Sequence, residues 1–189
     1  GYPGDGTTIA REWIGAGGPQ KFLFPDGLES QDFVNDVGAQ YLKNVHGTAP
    51  GSDKTPSLAT FQSEYQTKYG TLPTQAYITN AYDATVLIGL AMQQSKSNKA
   101  PAIRDAIRKV TDPKGEKIYA GAAELKKASQ LLAQGKAIQY IGATGPLQFD
   151  KYGDIATPMQ VWSVTAQGKV EPTGMVTVAQ IDALRGASK

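Results

Sequence analysis

The chain of 189 residues has no cysteine and a single histidine. Without cysteine there are no disulfides, thiolate metal sites or cysteine nucleophiles, while the compartment stays open because many exported domains fold without bridges. His46 reads as a solvated histidine in a Gly/Pro-rich loop. One imidazole makes neither a metal cluster nor a histidine-based hydrolytic relay. No Gly-x-Ser-x-Gly elbow occurs. The glycines of Gly1-Tyr2-Pro3-Gly4-Asp5-Gly6 lack both the Lys-Ser/Thr of a phosphate loop and the spacing of a dinucleotide site. Asp150-Lys151-Tyr152-Gly153-Asp154 fails as a calcium loop, since its third position is Tyr and its glycine comes fourth. No cofactor site is expected. Basic and acidic residues number 19 and 17, a net +2 spread without runs, which argues against a dedicated nucleic-acid surface. No stretch reaches the ~18 apolar residues of a membrane span.

What is present is a globular composition, 40% hydrophobic, enough for one ordinary core or two small ones. The stretch Phe22 to Ser30 organises the rest. Phe22, Leu23 and Phe24 have the aromatic bias of a short strand buried on both faces, as in a parallel sheet covered by helices. Pro25 ends the strand and Gly27 permits a turn. Ser30 can cap a helix whose Phe33, Val34, Val37 and Tyr41 form one apolar stripe. Asp26 then stands at the carboxyl end of a strand, where open α/β sheets bind ligands. The same residue also suits a Pro-Asp-Gly turn in which it bonds its own backbone.

Before this stretch, a loop leads into a helix carrying Ile9, Trp13 and Ile14, capped by Asp5 or Thr7, and a strand is expected ahead of that helix. The opening Gly1-Tyr2-Pro3, with neither Met nor an export signal, reads as a processed product or a fragment. Beyond it, residues 46–54 read as a polar loop, and Thr55-Pro56 opens a helix through Leu58, Phe61 and Tyr65 that stops at Gly70. Residues 81–92 are apolar nearly all round, as in a helix buried between layers. Further helices are expected near 101–112 and over 122–133. Met159 to Thr165 should form a hairpin with Val170 through a Gln167-Gly168 turn, and Thr177 should cap a terminal helix.

Several of these stretches resemble one family. Tyr140-Ile141-Gly142-Ala143-Thr144-Gly145-Pro146-Leu147-Gln148-Phe149-Asp150-Lys151-Tyr152-Gly153-Asp154 is similar to the Gly-x-x-Gly-x-hydrophobic-x-Phe-Asp-x-x-Gly-Asp of the solute-binding proteins of branched-chain amino-acid-type ABC importers. Ala81-Tyr82-Asp83-Ala84, Ala102 to Ile107, Val161 to Val164, Gly-Tyr-Pro and Phe-Pro-Asp-Gly fit the same order. The resemblance implies the α/β fold of type I periplasmic binding proteins, with parallel sheets flanked by helices and two lobes joined by hinge crossings. It covers only the second half of a family member, so the missing N-terminal half becomes an expected partner. Residues 1–72 and 157–189 would belong to the second lobe and 73–156 to the returning part of the first, with crossings near 73–75 and 155–158.

The resemblance also implies a role: an extracytoplasmic binding component, periplasmic or extracellular, that captures an amino acid or related amine by hinge closure, delivers it to a permease and performs no catalysis. Asp26 matches the acid that holds the ligand's ammonium, though it is shorter than the Glu of branched-chain binders. Tyr2 and Tyr77 match aromatic positions lining the cleft. The alternative role is a ligand-sensing domain of a receptor or regulator with the same fold, and an α/β enzyme comes third.

Overall fold

The computed structural model describes residues 1–73 and 76–187, with side chains through 184. Along the chain, α1 (Pro3–Gly15), β1 (Phe22–Phe24), α2 (Gln31–Val37) and β2 (Val45–Pro50) precede α3 (Pro56–Tyr69), α4 (Ile78–Ser95) and α5 (Ala100–Ile107). Next come β3 (Glu116–Ile118), α6 (Ala122–Ala133), β4 (Ile138–Tyr140), β5 (Met159–Val164), β6 (Val170–Val176) and α7 (Val178–Ala187). The contacts divide the chain into two units, Gly1–Gly51 with Pro158–Lys189, and Ser52–Thr157.

The first unit is built on a sheet of order β1-β2-β5-β6. β1 runs parallel to β2, and the other pairs are antiparallel. Trp162, Phe33, Leu42, Val34 and Val45 are fully buried and centre its core. The expected β5–β6 hairpin is present, with Gly168 taking the left-handed conformation its turn needs.

Four expectations change here. First, residues 46–50 are strand rather than loop: Val45, Gly47 and Ala49 point inward while His46 and Thr48 are exposed. The inward side chains are small because the Trp162 indole takes their space, and a Cβ on Gly47 would overlap that ring. We expect Gly47→Ala to overpack this contact and cost about 1–3 kcal/mol, read as a lowered urea midpoint. An unchanged midpoint would show that the indole has room to move.

Second, the helix after Ser30 stops early. Ser30 does cap it, with its Oγ accepting from Phe33 N, but Gly38 takes φ +103° and Tyr41 falls in a separate short turn, partly exposed. Third, β1 is an edge strand with Leu23 79% exposed, not a strand buried on both faces. At the start of the chain, Tyr2 rather than Asp5 or Thr7 precedes the first helical residue, and Pro3 occupies the first turn, where its missing N–H costs nothing.

The second unit carries the parallel pair β3–β4 and helices α3 to α6. Ile118, Ile138, Tyr140, Val110 and Ala128 are fully buried in its core. Neither strand was expected, because three residues are too short to show a period. α4 is longer and more one-sided than its composition suggests: Leu87, Leu90 and Ala91 are buried, whereas Ile88 and Met92 are exposed.

The contacts draw the boundary at 51/52, not at 72/73. Residues 52–72 belong with the second unit, because α3 is pinned there by side chains of its first turn. Ser57, fully buried, donates to Ile141 O and accepts from Ala120 N at 2.9 Å. Thr55 caps α3 at Leu58 N and donates to Gly142 O at 3.1 Å. The chain therefore leaves the first unit at 51/52, where Gly51 N donates to Pro158 O at 2.8 Å beside the return at 157/158. Of the earlier crossing expected at 73–75, Thr74 and Gln75 lie outside the described residues.

Candidate functional site

The start of α1 lies over the short turn Asp26–Leu28 that follows β1. A Cβ on Gly6 would press into the Leu28 side chain, and one on Gly27 would strike Gly1 O and come 3.3 and 3.4 Å from Tyr2 ring carbons. Two glycines thus let helix and turn approach closely. The approach brings Tyr2, 71% exposed, beside the Asp26–Gly27 turn.

Asp26 is half-buried. Its Oδ1 accepts from Gly27 N at 2.7 Å and its carbonyl accepts from Glu29 N at 3.0 Å, so it performs the turn role. Its Oδ2 has no protein partner among the described residues. The turn bond therefore aims the carboxylate and leaves one oxygen open.

Glu29 enters from the same turn, and Gln160 Nε2 on β5 donates to its Oε1 at 2.6 Å. Burial pushes the Glu29 carboxyl above its ordinary range; the Gln160 bond pulls the other way and the nearby Asp26 charge adds to the rise. β1 ends at Phe24, and β2 ends at Pro50 opposite Met159. Asp26, Glu29 and Gln160 thus gather at the carboxyl end of the parallel pair, where open α/β sheets receive ligands. Adjacent carboxylates and an aromatic ring make a surface that attracts cations.

The raised Glu29 group has a definite pH signature. The folded state binds its proton more tightly than the unfolded state, so stability is lost as pH climbs from the ordinary Glu value through the raised one. We expect Glu29→Gln, which keeps an acceptor for Gln160, to be at least as stable as the parent above that window and to flatten the pH dependence there. Unaltered pH dependence in thermal melts would contradict this.

Tyr77 lies in the second unit, immediately before α4, with a left-handed φ of +69°. It is 38% exposed.

A different carboxylate dominates the second unit. Asp83 on α4 is 2% exposed and accepts four bonds: from Tyr140 Oη at 3.0 Å, Ala143 N at 2.8 Å, Thr144 N at 2.8 Å and Thr144 Oγ1 at 2.6 Å. Burial, and then the Asp83 charge, push the Tyr140 hydroxyl far above its usual range, so it stays a donor. Gly142 is required here because a Cβ would overlap the carboxylate. Asp83 is thus the anchor of the 140–145 loop, and its sequence signal was a lone charge within an apolar helix. Asp150 closes the next turn, its Oδ1 accepting from the amides of Tyr152, Gly153 and Asp154 at 2.8, 2.9 and 2.9 Å. Among the described residues, no group of three or more His, Asp or Glu is placed to hold a metal.

The sheet and helix arrangement defines an α/β protein of the type I periplasmic-binding-protein class. Residues 11–167 match the family described as the receptor family ligand binding region, and the chain belongs to that family. Solved structures with the same fold include a leucine-binding protein, LivK, of Thermotoga maritima, at 20% identity and a TM-score of 0.66, covering 94% of this chain and 43% of that one. The branched-chain amino acid transporter substrate-binding protein LivJ of Streptococcus pneumoniae, in complex with isoleucine, gives 20% identity, a TM-score of 0.62 and the same coverages, 94% and 43%. A branched-chain amino acid ABC transporter protein of Thermus thermophilus with bound valine gives 14% identity, a TM-score of 0.51 and coverages of 94% and 44%. No curated protein matches the chain. The chain therefore spans less than half the length of these solved structures. Among the described residues no helix is long and apolar enough to cross a membrane.

Proposed function

We propose that the chain is part of an extracytoplasmic solute-binding protein of an ABC importer, and that its first unit contributes the amine-binding side of an amino-acid site. The observation that carries this reading is the Asp26 carboxylate, oriented by Gly27 N with one oxygen open, in a turn that Tyr2 approaches at Gly27, at the carboxyl end of β1. The family and the amino acids bound by proteins of the same fold support it.

In this proposal Asp26 accepts from the ligand ammonium, Tyr2 covers the ligand's apolar body, and Tyr77 lines the site from the first lobe. The unit of Gly1–Gly51 with Pro158–Lys189 is the second lobe, and Ser52–Thr157 is the returning part of the first. Ligand binding draws the lobes closed, since the closed state alone contacts it from both sides. The protein works in the periplasm or outside the cell, hands its solute to a cognate permease and catalyses no reaction.

An ammonium bond to Asp26 contributes about 1.5–3 kcal/mol, whereas micromolar affinity needs about 8. Asp26 selects the ligand class but does not by itself supply the affinity. Titration calorimetry of the protein with L-amino acids and with their 2-hydroxy analogues tests the reading. Binding of one or more amino acids about 10- to 150-fold tighter than of the matching hydroxy acids is expected; equal binding of both would refute an amine-selecting site.

A further inference from the structure

Helix α5 and its cap carry two arginines, Arg104 and Arg108, four positions apart and so on one helix face. Both border a groove of the second unit with a volume of about 470 Å³, within the ~300–1,000 Å³ of small-molecule sites. Its apolar wall is Ile107 and Phe149, each partly buried. Tyr152, 77% exposed, stands at its rim. Lys151 Nζ covers one face of that ring at 4.8 Å from its centroid and leaves the other face to a guest.

The Arg108 guanidinium is held in place. Its Nη1 donates to Phe149 O at 3.3 Å and also to Asp150 O, while its Nε and Nη2 have no partner among the described residues. The turn that supplies those carbonyls is itself tied, because Asp150 Oδ1 accepts from the amides of Tyr152, Gly153 and Asp154, and Asp150 N donates to Asp154 O at 2.8 Å. Gly153, at φ +98°, puts no side chain in front of Arg108 Nη2. Arg104 spends only its Nε, on Asp105 Oδ1 at 2.8 Å, in an exposed pair that contributes little to stability. Its two terminal nitrogens have no partner among the described residues.

Guanidinium donors left over beside a preformed apolar wall suit an anion with an apolar body. The groove is bordered by two guanidiniums and one carboxylate, Asp105, a net charge of +1. Asp150 does not border it, and its Oδ1 faces its own turn. That balance fits one negative charge better than the two of a phosphate monoester. A planar carboxylate also matches the paired N–H groups of a guanidinium.

We propose that this groove binds a small organic monocarboxylate with an aromatic or branched apolar body. The carboxylate accepts from Arg108 Nη2 and from the terminal nitrogens of Arg104, and the body lies against Ile107, Phe149 and the open face of Tyr152. The site uses no residue of the Asp26 turn and asks for no ammonium, so it is independent of the proposed amino-acid site.

The test is an amide and guanidinium NMR titration of the 189-residue chain with 3-phenylpropionate, in about 0.15 M salt to screen diffuse attraction. Shifts of the Arg108 Nε–H and of the amides of 149–153 should saturate, with half effect at about 1 mM. Two probes divide the ligand into its parts: 3-phenylpropanol has the body without the charge, and inorganic phosphate has charge without the body. Each should bind at least ~10-fold more weakly than the acid. Arg104→Gln breaks no bond to the 149–154 turn and should weaken the acid about 5- to 20-fold. Arg108→Gln should weaken it further, but it also releases the two carbonyls, so Arg104→Gln is the deciding variant. Shifts that fail to saturate by about 20 mM would overturn the proposal. So would an alcohol or phosphate as tight as the acid, or an Arg104→Gln protein that binds the acid as its parent does.

Discussion

Asp83→Ala should lower the stability of the second unit by about 3–5 kcal/mol, read as a shift in urea midpoint. The carboxylate is buried and accepts from two main-chain amides and two hydroxyls. Alanine leaves those donors without partners in a closed space, and each unpaired buried donor costs about 1–3 kcal/mol before the loop or water relieves it. Relaxation keeps the total below the simple sum. Against the ~5–15 kcal/mol of an ordinary domain, such a loss is enough to populate unfolded chains at moderate temperature. Asp83→Asn is the informative companion, because it keeps the size but turns one acceptor into a donor facing other donors, and it should also destabilise. A midpoint shift equivalent to less than about 1 kcal/mol in both variants would mean that other groups hold the 140–145 loop.

Asp26→Asn should weaken binding of an amine-bearing ligand by about 10- to 150-fold, the equivalent of 1.5–3 kcal/mol. Asparagine preserves an oxygen for Gly27 N and so leaves the turn in place. The folded state should be nearly as stable as the parent, which separates this variant from a structural lesion. Calorimetry gives the affinity and a thermal melt gives the control. Glu29 adds a pH dependence in the same direction. A bound ammonium favours its ionised form, so affinity should be full above the raised Glu29 value and fall as pH descends through it. Glu29→Gln should remove that dependence and leave the Asp26 contribution in place.

Much of the fold was legible because long helices and the hairpin carry strong periods and clear punctuation. The cap at Thr55-Pro56 with the stop at Gly70, the cap at Ser30 and the Gln167-Gly168 turn all mark real boundaries. β2 was hidden because its core-facing positions hold Gly47 and Ala49, and the bulk that fills their space, Trp162, comes from a residue far along the chain. The boundary near 51 was hidden for a similar reason. Helix α3 looks the same whichever unit it joins, and the Ser57 and Thr55 bonds to residues 120, 141 and 142 reveal its place.

The candidate site was partly readable. Strand, Pro, Asp and Gly in order place a carboxylate after a strand, and the structure sets Tyr2 against Gly27 of the same turn. Glu29 and Gln160 could not be paired, since they are separated by most of the chain and meet only because β5 inserts next to β2. Asp83 stood in a stretch already noted for its resemblance. Its function as an anchor needed the coordinates of the loop it holds.

The most direct test of the amine site is a cycle of four calorimetric titrations, parent and Asp26→Asn proteins each with one bound L-amino acid and its 2-hydroxy analogue. The account predicts a coupling of about 1.5–3 kcal/mol, with Asp26→Asn hurting only the amine ligand. A coupling of zero, with both ligands weakened equally or neither weakened, would contradict it.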